Sequence, residues 1–411
     1  MAISFALSLG MSLTYGLAHG ARDGNMTPPT VSERHKVEPL PGALDNVPAL
    51  NSNSPEQVQQ EGILVSTCAP QGMKVRQAHL NYQFNGRFDI FAHHVAKAKD
   101  GDLRTLYLGV MLQNPGKRKV QVKVLSGASY LSQPDAPFIS HPALVGNDDG
   151  TVYAGPGSRV MSDVLRNRRA NWLPETLTIA PGETKLLANL PIPVANLTPP
   201  LNGRSLLFRL RSNGPLYAAT LAMYAPFADS LPKSVAPLSA ETAAPTAGNK
   251  NTPPPLNCAE SSTGAGQVEA VERPPTQSQW LTMLENGSLA GPRENPATPP
   301  GAAGAFAYGR VAGVSQGNNW TAILKDQPDR SARPKRPTFA LPDPAEPASF
   351  VIASLEKGTF GTKQIQSAPL LVRYPDTAYR ANGNYGVAYQ IEIPRLNNTS
   401  SDRHGTTALH C

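Results

Sequence analysis

The sequence predicts a mainly β protein: two β-sandwich-like modules joined by a Pro-rich linker, with few short helices. Three observations lead there. Proline supplies 41 of the 411 residues, about twice its usual share. Interior proline removes a helix hydrogen bond and clashes with the preceding turn, so long helices are excluded. Apolar residues recur in short alternating runs, which mark strands with one buried and one wet face. Turns containing Pro and Gly separate those runs, the punctuation of a sandwich or barrel.

Residues 1–20 form a signal-peptide-like segment. Positions 2–18 carry no charge, and Ala18-His19-Gly20 places small residues at −3 and −1 of a cleavage site before Ala21. The basic n-region is missing, the first basic residue being Arg22, so the alternative is a short buried helix or strand. Beyond residue 20 no run of 18 or more apolar residues occurs, which excludes a polytopic membrane protein. Residues 21–60 hold six prolines and little apolar material and read as a disordered polar leader.

The first module covers 61–228. Leu106, Leu108, Val110 and Leu112 share one face of a strand, and Val120, Val122 and Val124 share one face of the next, with Lys119, Gln121 and Lys123 pointing the other way. Asn114-Pro115-Gly116-Lys117 between them reads as a type II turn, making the pair a hairpin. A helix is expected around 162–171, with Ser162 as its N-cap. Strands follow at 177–179 and 185–190 across a turn at Pro181-Gly182-Glu183. The run 205–211 sets Leu206, Phe208 and Leu210 against Arg209 and Arg211, and 216–224 is a further strand. Residues 229–275, which include Pro253-Pro254-Pro255, form the linker.

The second module, 276–411, opens with a short helix over 276–286, in which Trp280, Leu281 and Leu284 are apolar and Gly287 stands at the stop. Strands are expected at 350–355, 369–374 and 385–393. The patterns of 107–114 and 385–391 resemble each other, so the modules read as distant repeats. Residues 397–411 lack the alternation of a partner for 385–393. The second module is therefore expected to be C-terminally truncated or frameshifted, with an open edge.

The net charge of +7 is unevenly placed: residues 60–230 hold 18 Lys+Arg and 11 Asp+Glu, and the rest of the chain has 19 of each. One lobe with the whole excess favours an acidic partner such as an anionic cell-surface polysaccharide, lipopolysaccharide or membrane surface. Nucleic acid fits the same arithmetic, but an exported protein rarely meets it; solubility alone would also account for the charge. Arg166, Arg168 and Arg169 cluster near Trp172. On a helix Arg166 and Arg169 share a face, giving two planar forks for a carboxylate, sulfate or phosphate. Ion pairs with Asp148, Asp149 or Asp163 would use the same residues.

Cys68, Cys258 and Cys411 have no metal-ligand spacing. Cys68 and Cys258 are candidates for a disulfide in an oxidising compartment; the alternative is unpaired cysteines in loops. His93 and His94, adjacent on a strand, point to opposite faces and make a poor chelate. Asn147-Asp148-Asp149-Gly150 lacks the distal Glu of an EF-hand and reads as a turn. The patterns G-x-S-x-G, H-E-x-x-H and G-x-x-x-x-G-K-[ST] do not occur, so no catalytic residue, metal or cofactor is assigned.

Five segments carry a family resemblance: 155–163 (GPGSRVMSD), 190–194 (LPIPV), 202–205 (NGRS), 366–374 (QSAPLLVRY) and 384–387 (NYGV). In these the chain resembles a cyanobacterial exported family known only as a domain of unknown function (domain of unknown function 3370). The resemblance implies an envelope or secreted protein; it supplies no activity and no catalytic residues. The expectation is an exported, non-catalytic protein of the periplasm, cell surface or extracellular space that binds an acidic polymer. The alternative is a secreted hydrolase acting on glycans through two carboxyls from separate strands.

Overall fold

The computed structural model describes residues 2–6, 37–98, 100–142, 145–227, 271–325, 338–342, 347–403, 405 and 407. The chain opens with Ala2–Ala6 (β1), then Val37–Glu38 (β2), Ala43–Leu44 (β3), Pro48–Ser52 (β4), Gln57–Val58 (β5) and Gly62–Ser66 (β6). The leader expected over 21–60 is corrected from residue 37 onward; 21–36 lie outside the described residues. Strand β4 runs inside a sheet with Leu50 fully buried. Its few apolar atoms could not build a core, but strands on both sides satisfy its backbone.

Next come Arg87–Lys97 (β7), Leu106–Gln113 (β8), Val120–Leu131 (β9), the helix Pro156–Leu165 (α1), Thr176–Ile179 (β10), Thr184–Ile192 (β11), Leu201–Ser212 (β12) and Tyr217–Tyr224 (β13). They divide between two sheets. β10, β9, β12, β7 and β4 lie side by side in a nine-stranded sheet, and β11, β8, β13 and β6 form a four-stranded one. Ile90, Val122, Phe208 and Leu210 of the first share one core with Leu64, Leu108, Val110 and Leu190 of the second.

The hairpin expected around 114–117 does not form. β8 pairs with β11 and β13, whereas β9 pairs with β10 and β12, so the two strands belong to facing sheets. Asn114 holds the corner. Its buried amide donates to the carbonyls of Arg118, Ile179 and Ala180 at 2.8–3.1 Å, and its Oδ1 accepts from the Gly116 N–H at 2.9 Å. Gly116 does not take the positive φ of a type II turn. The crossing from β10 to β11 does use a left-handed glycine, Gly182 at φ 71°.

The C-terminal part contributes the helix Gln277–Asn286 (α2), Ala312–Gln316 (β14), Asn319–Ile323 (β15), Phe339–Ala340 (β16), Ser349–Phe350 (β17), Ala368–Arg373 (β18), Arg380–Ala381 (β19), Ala388–Glu392 (β20) and Arg395–Leu396 (β21). β14 pairs with both β4 and β18, so β14, β18 and β19 extend the nine-stranded sheet, whose ninth strand, β5, lies beside β7. A module boundary at 276 would therefore cut through one sheet. β1, β20, β15 and β3 form a separate sheet, with a small core around Leu40, Trp320, Tyr389 and Ile391. β20 has β15 as a parallel neighbour, so its pairing does not depend on 397–411. β8 is flanked by antiparallel strands only, and the pattern shared with 385–391 does not mark equivalent strands.

Two helices close the outer faces. α1 starts at Pro156, before the expected Ser162, because proline at a first helical position lacks only an N–H that is orphaned anyway. Its Val160, Met161 and Val164 pack on Phe91, Ala128 and Leu207 of the nine-stranded sheet. α2 lays Trp280 and Leu284 on Met111, Ala219 and Leu221 of the other sheet. Thr276 and Gln279 cap it reciprocally. The linker expected over 229–275 falls mainly outside the described residues. Its two ends meet, since Phe227 and Glu272 form an antiparallel bridge.

Candidate functional site

The outer face of the nine-stranded sheet has an apolar half and a charged half. Alternation along β7, β12 and β9 turns Phe91, Leu207 and Ala128 toward α1. The same alternation, four residues nearer the other end of β7 and β12, turns out Arg87 and Arg211, and in β9 Lys123. Arg211 stands directly opposite Arg87 on one side and Lys123 on the other. Adjacent strands are about 4.7–4.9 Å apart, so this row carries three positive charges across roughly 10 Å of sheet. Like charges opposite one another destabilise a sheet. In the next outward row Arg209 stands between Asp89 and Ser126.

Asp89 is the counter-charge inside this face. It is fully buried, accepts from the Arg87 guanidinium and the Asn318 amide, and lies 3.8 Å from Arg209 Nε. Burial holds its carboxyl above the usual range, against the pull of Arg87 and Arg209. Burial also pushes the Arg209 guanidinium down. Arg87 donates further to the Phe88 carbonyl at 2.6 Å. Arg211 and Lys123 are exposed, and among the described residues no ion pair neutralises either. Four cations thus face two carboxylates: Asp89, which is buried, and Asp45, which also acts on Arg209. Such a surface suits a ligand with several anionic groups, which arginine can grip as a planar fork.

The arginines singled out from the sequence are placed differently. α1 ends at Leu165, so Arg166, Arg168 and Arg169 follow the helix instead of sharing a face of it. Arg166 donates to Ser162 Oγ at 2.9 Å and to the carbonyls of Asn147 and Asp148 at 3.1 and 3.3 Å. Arg168 pairs with Asp163 at 3.0 Å, and Arg169 donates to the Leu173 carbonyl at 2.6 Å. The chain itself supplies at least one acceptor to each guanidinium, and the Arg168 side chain stays 57% exposed. In the 147–150 turn, Asp149 Oδ1 accepts from the Thr151 N–H and O–H at 3.1 and 2.7 Å. Cys68 is 1% exposed, and burial pushes its thiol up to about 11; Cys258 lies outside the described residues. His93 and His94 do take opposite faces, His93 meeting Ser205 Oγ and His94 meeting Ser52 Oγ.

Glu56 and Glu294 both pair with Arg310, and Glu61, Asp100 and Asp102 lie with Arg104 and Tyr224 around a cavity of about 540 Å³. Arg104 holds both oxygens of Asp102 at 2.7–3.1 Å, and these hydrogen bonds keep the Asp102 carboxyl below its usual range. A general acid for glycoside cleavage needs the reverse shift. Among the described residues no helix is long and apolar enough to cross a membrane.

Fold and surface together define a mainly β protein whose two principal sheets share a core. Within that class the chain belongs to the family described as protein of unknown function (DUF3370), which matches residues 35–410. No curated protein and no solved structure matches it.

Proposed function

We propose that this is an exported, non-catalytic protein of the cell envelope that binds an acidic polymer on the outer face of its nine-stranded sheet. The observation that carries the reading is the row Lys123–Arg211–Arg87, three cations on adjacent strands. Arranging like charges this way costs stability, and a polyanion laid across the strands offsets that cost. The concentration of the net +7 within residues 60–230 supports the same ligand class through long-range attraction. The uncharged run over 2–18, with small residues before Ala21, supports export; its first residues, β1, pair with β20 in the uncleaved chain.

The test is binding of polygalacturonate and dextran sulfate to the whole chain by surface plasmon resonance. The double variant Lys123→Ala/Arg211→Ala alters only exposed side chains, so folding should be unaffected. Two surface charges at ~0.5–1 kcal/mol each correspond to about tenfold weaker binding. Binding should also weaken as salt rises from about 0.05 to 0.5 M. Retention indifferent to both changes would rule the reading out.

A further inference from the structure

Chemistry opposite to the basic face gathers at the end of β13. The cavity of about 540 Å³ there is walled by Gln59, Gln60, Glu61, Asp100, Asp102 and Arg104, with Tyr224 beside them. It is an open depression, with Gln60, Glu61 and Asp100 exposed. Three separate stretches of chain build it, and each is anchored. The N–H groups of Gln59 and Gln60 donate to the Gly291 carbonyl at 2.9 and 3.1 Å. Glu61 accepts the Tyr224 N–H at 3.1 Å. The Arg104 guanidinium is gripped by Asp102 and lies 5.1 Å from the Tyr224 ring centroid and 5.9 Å from that of Phe227. The Asp102–Arg104 pair, held in place in advance, loses little side-chain freedom when a ligand arrives.

The lining selects the ligand. Three carboxylates stand against one guanidinium, and that guanidinium is already paired. An anion would be repelled, so the acidic polymer of the basic face does not belong here. Two carboxamides and three carboxylates instead offer planar groups, the carboxylates accepting and the carboxamides able to donate as well. Each hydroxyl of a sugar can donate to one such group and accept from another. Tyr224 adds an aromatic ring to the lining, a surface for the C–H side of a pyranose ring. We propose that this cavity binds a neutral saccharide, independently of the polyanion face.

The experiment is saturation-transfer NMR on the whole chain with cellobiose, maltose and diacetylchitobiose, followed by calorimetric titration of any sugar that shows transfer. At least one disaccharide should bind, with an affinity indifferent to salt. Gln60→Ala, at an exposed position, and Asp102→Asn should each weaken it at least tenfold, with circular dichroism confirming that both variants fold. Lys123→Ala/Arg211→Ala should leave it unchanged, which separates this site from the polyanion face. Absence of transfer from all three sugars overturns the proposal, as does binding that survives both cavity substitutions. Displacement of a bound sugar by spermidine at low millimolar concentration would also overturn it, by showing that the carboxylates take a cation.

Discussion

His94 is completely buried, and the fold uses both of its ring nitrogens. Nδ1 lies 2.8 Å from the Pro55 carbonyl and must donate to it. Nε2 therefore accepts from Ser52 Oγ at 2.9 Å, and Ser52 Oγ accepts from Thr220 at 2.8 Å. Burial pushes the His94 pKa down to about 3. The unfolded chain takes up that proton from about pH 6.5 downward while the native state refuses it. The contribution is thus fully present above about pH 6.5 and lost toward pH 3, by at most about 1.4 kcal/mol per pH unit. Glu56 acts with the same sign at lower pH: the His93 hydrogen bond, with help from Arg310, lowers it from 4.5 to about 2. Urea denaturation at several pH values should show stability falling on acidification, and His94→Gln should flatten the upper part of that decline. An unchanged slope in the variant contradicts the assignment. Asp89 invites a second test. Asp89→Ala leaves Arg87 and Arg209 beside a vacated site, which should cost about 3 kcal/mol in the same assay. A midpoint equal to the native one would show that the carboxylate does not hold the pair.

At the scale of elements, α2 is seated by a missing side chain. Gly109 sits mid-strand in β8, and a Cβ there would lie 2.9 Å from Trp280 Cδ2 and Cε2. Glycine weakens a strand interior; here it gives room for a fully buried indole whose N–H donates to Asn189 Oδ1 at 3.2 Å. Gly109→Ala should cost ~1–3 kcal/mol by overpacking, and Trp280→Ala ~3–5 kcal/mol. Thermal unfolding followed by far-ultraviolet dichroism measures both, and a Gly109→Ala protein as stable as the native one would mean that the helix rides free of the sheet. α2 is legible in the sequence because its signals are local: Trp280, Leu281 and Leu284 as apolar residues and Gly287 after the last turn. The same kind of reading misplaces α1, since Gly155-Pro156 opens the helix without a side-chain cap and resembles a loop.

Across the whole molecule, Phe227 and Glu272, on either side of residues 228–270, form an antiparallel bridge. The parts of the chain before and after that bridge are interleaved: β14 enters between β4 and β18, and α2 covers β8 and β13. Protease cleavage between 228 and 270 should therefore yield two fragments that co-elute on size exclusion under native conditions and separate only in denaturant. A folded 37–227 fragment recovered alone would show that the shared sheet is dispensable. The two sites follow the same logic of assembly. The basic row joins β7, β9 and β12, and the cavity joins residues 59–61, 100–104 and Tyr224, so no stretch of sequence contains either.

The sequence by itself determined the β class, which residues of β8, β9 and β12 face the shared core, and the position of α2. Each of these follows from side-chain period or terminal chemistry within a few residues. Only the tertiary structure decided which strand lies beside which. The backbone groups that pair strands are the same in every residue, so alternation names a face and never a neighbour. Lys123 and Arg211 could therefore be read as outward-facing from their own strands, while their meeting with Arg87 depended on a register that sequence order does not contain. The same freedom separated β8 from β9, where Asn114 satisfies carbonyls at the corner between two sheets instead of closing a hairpin.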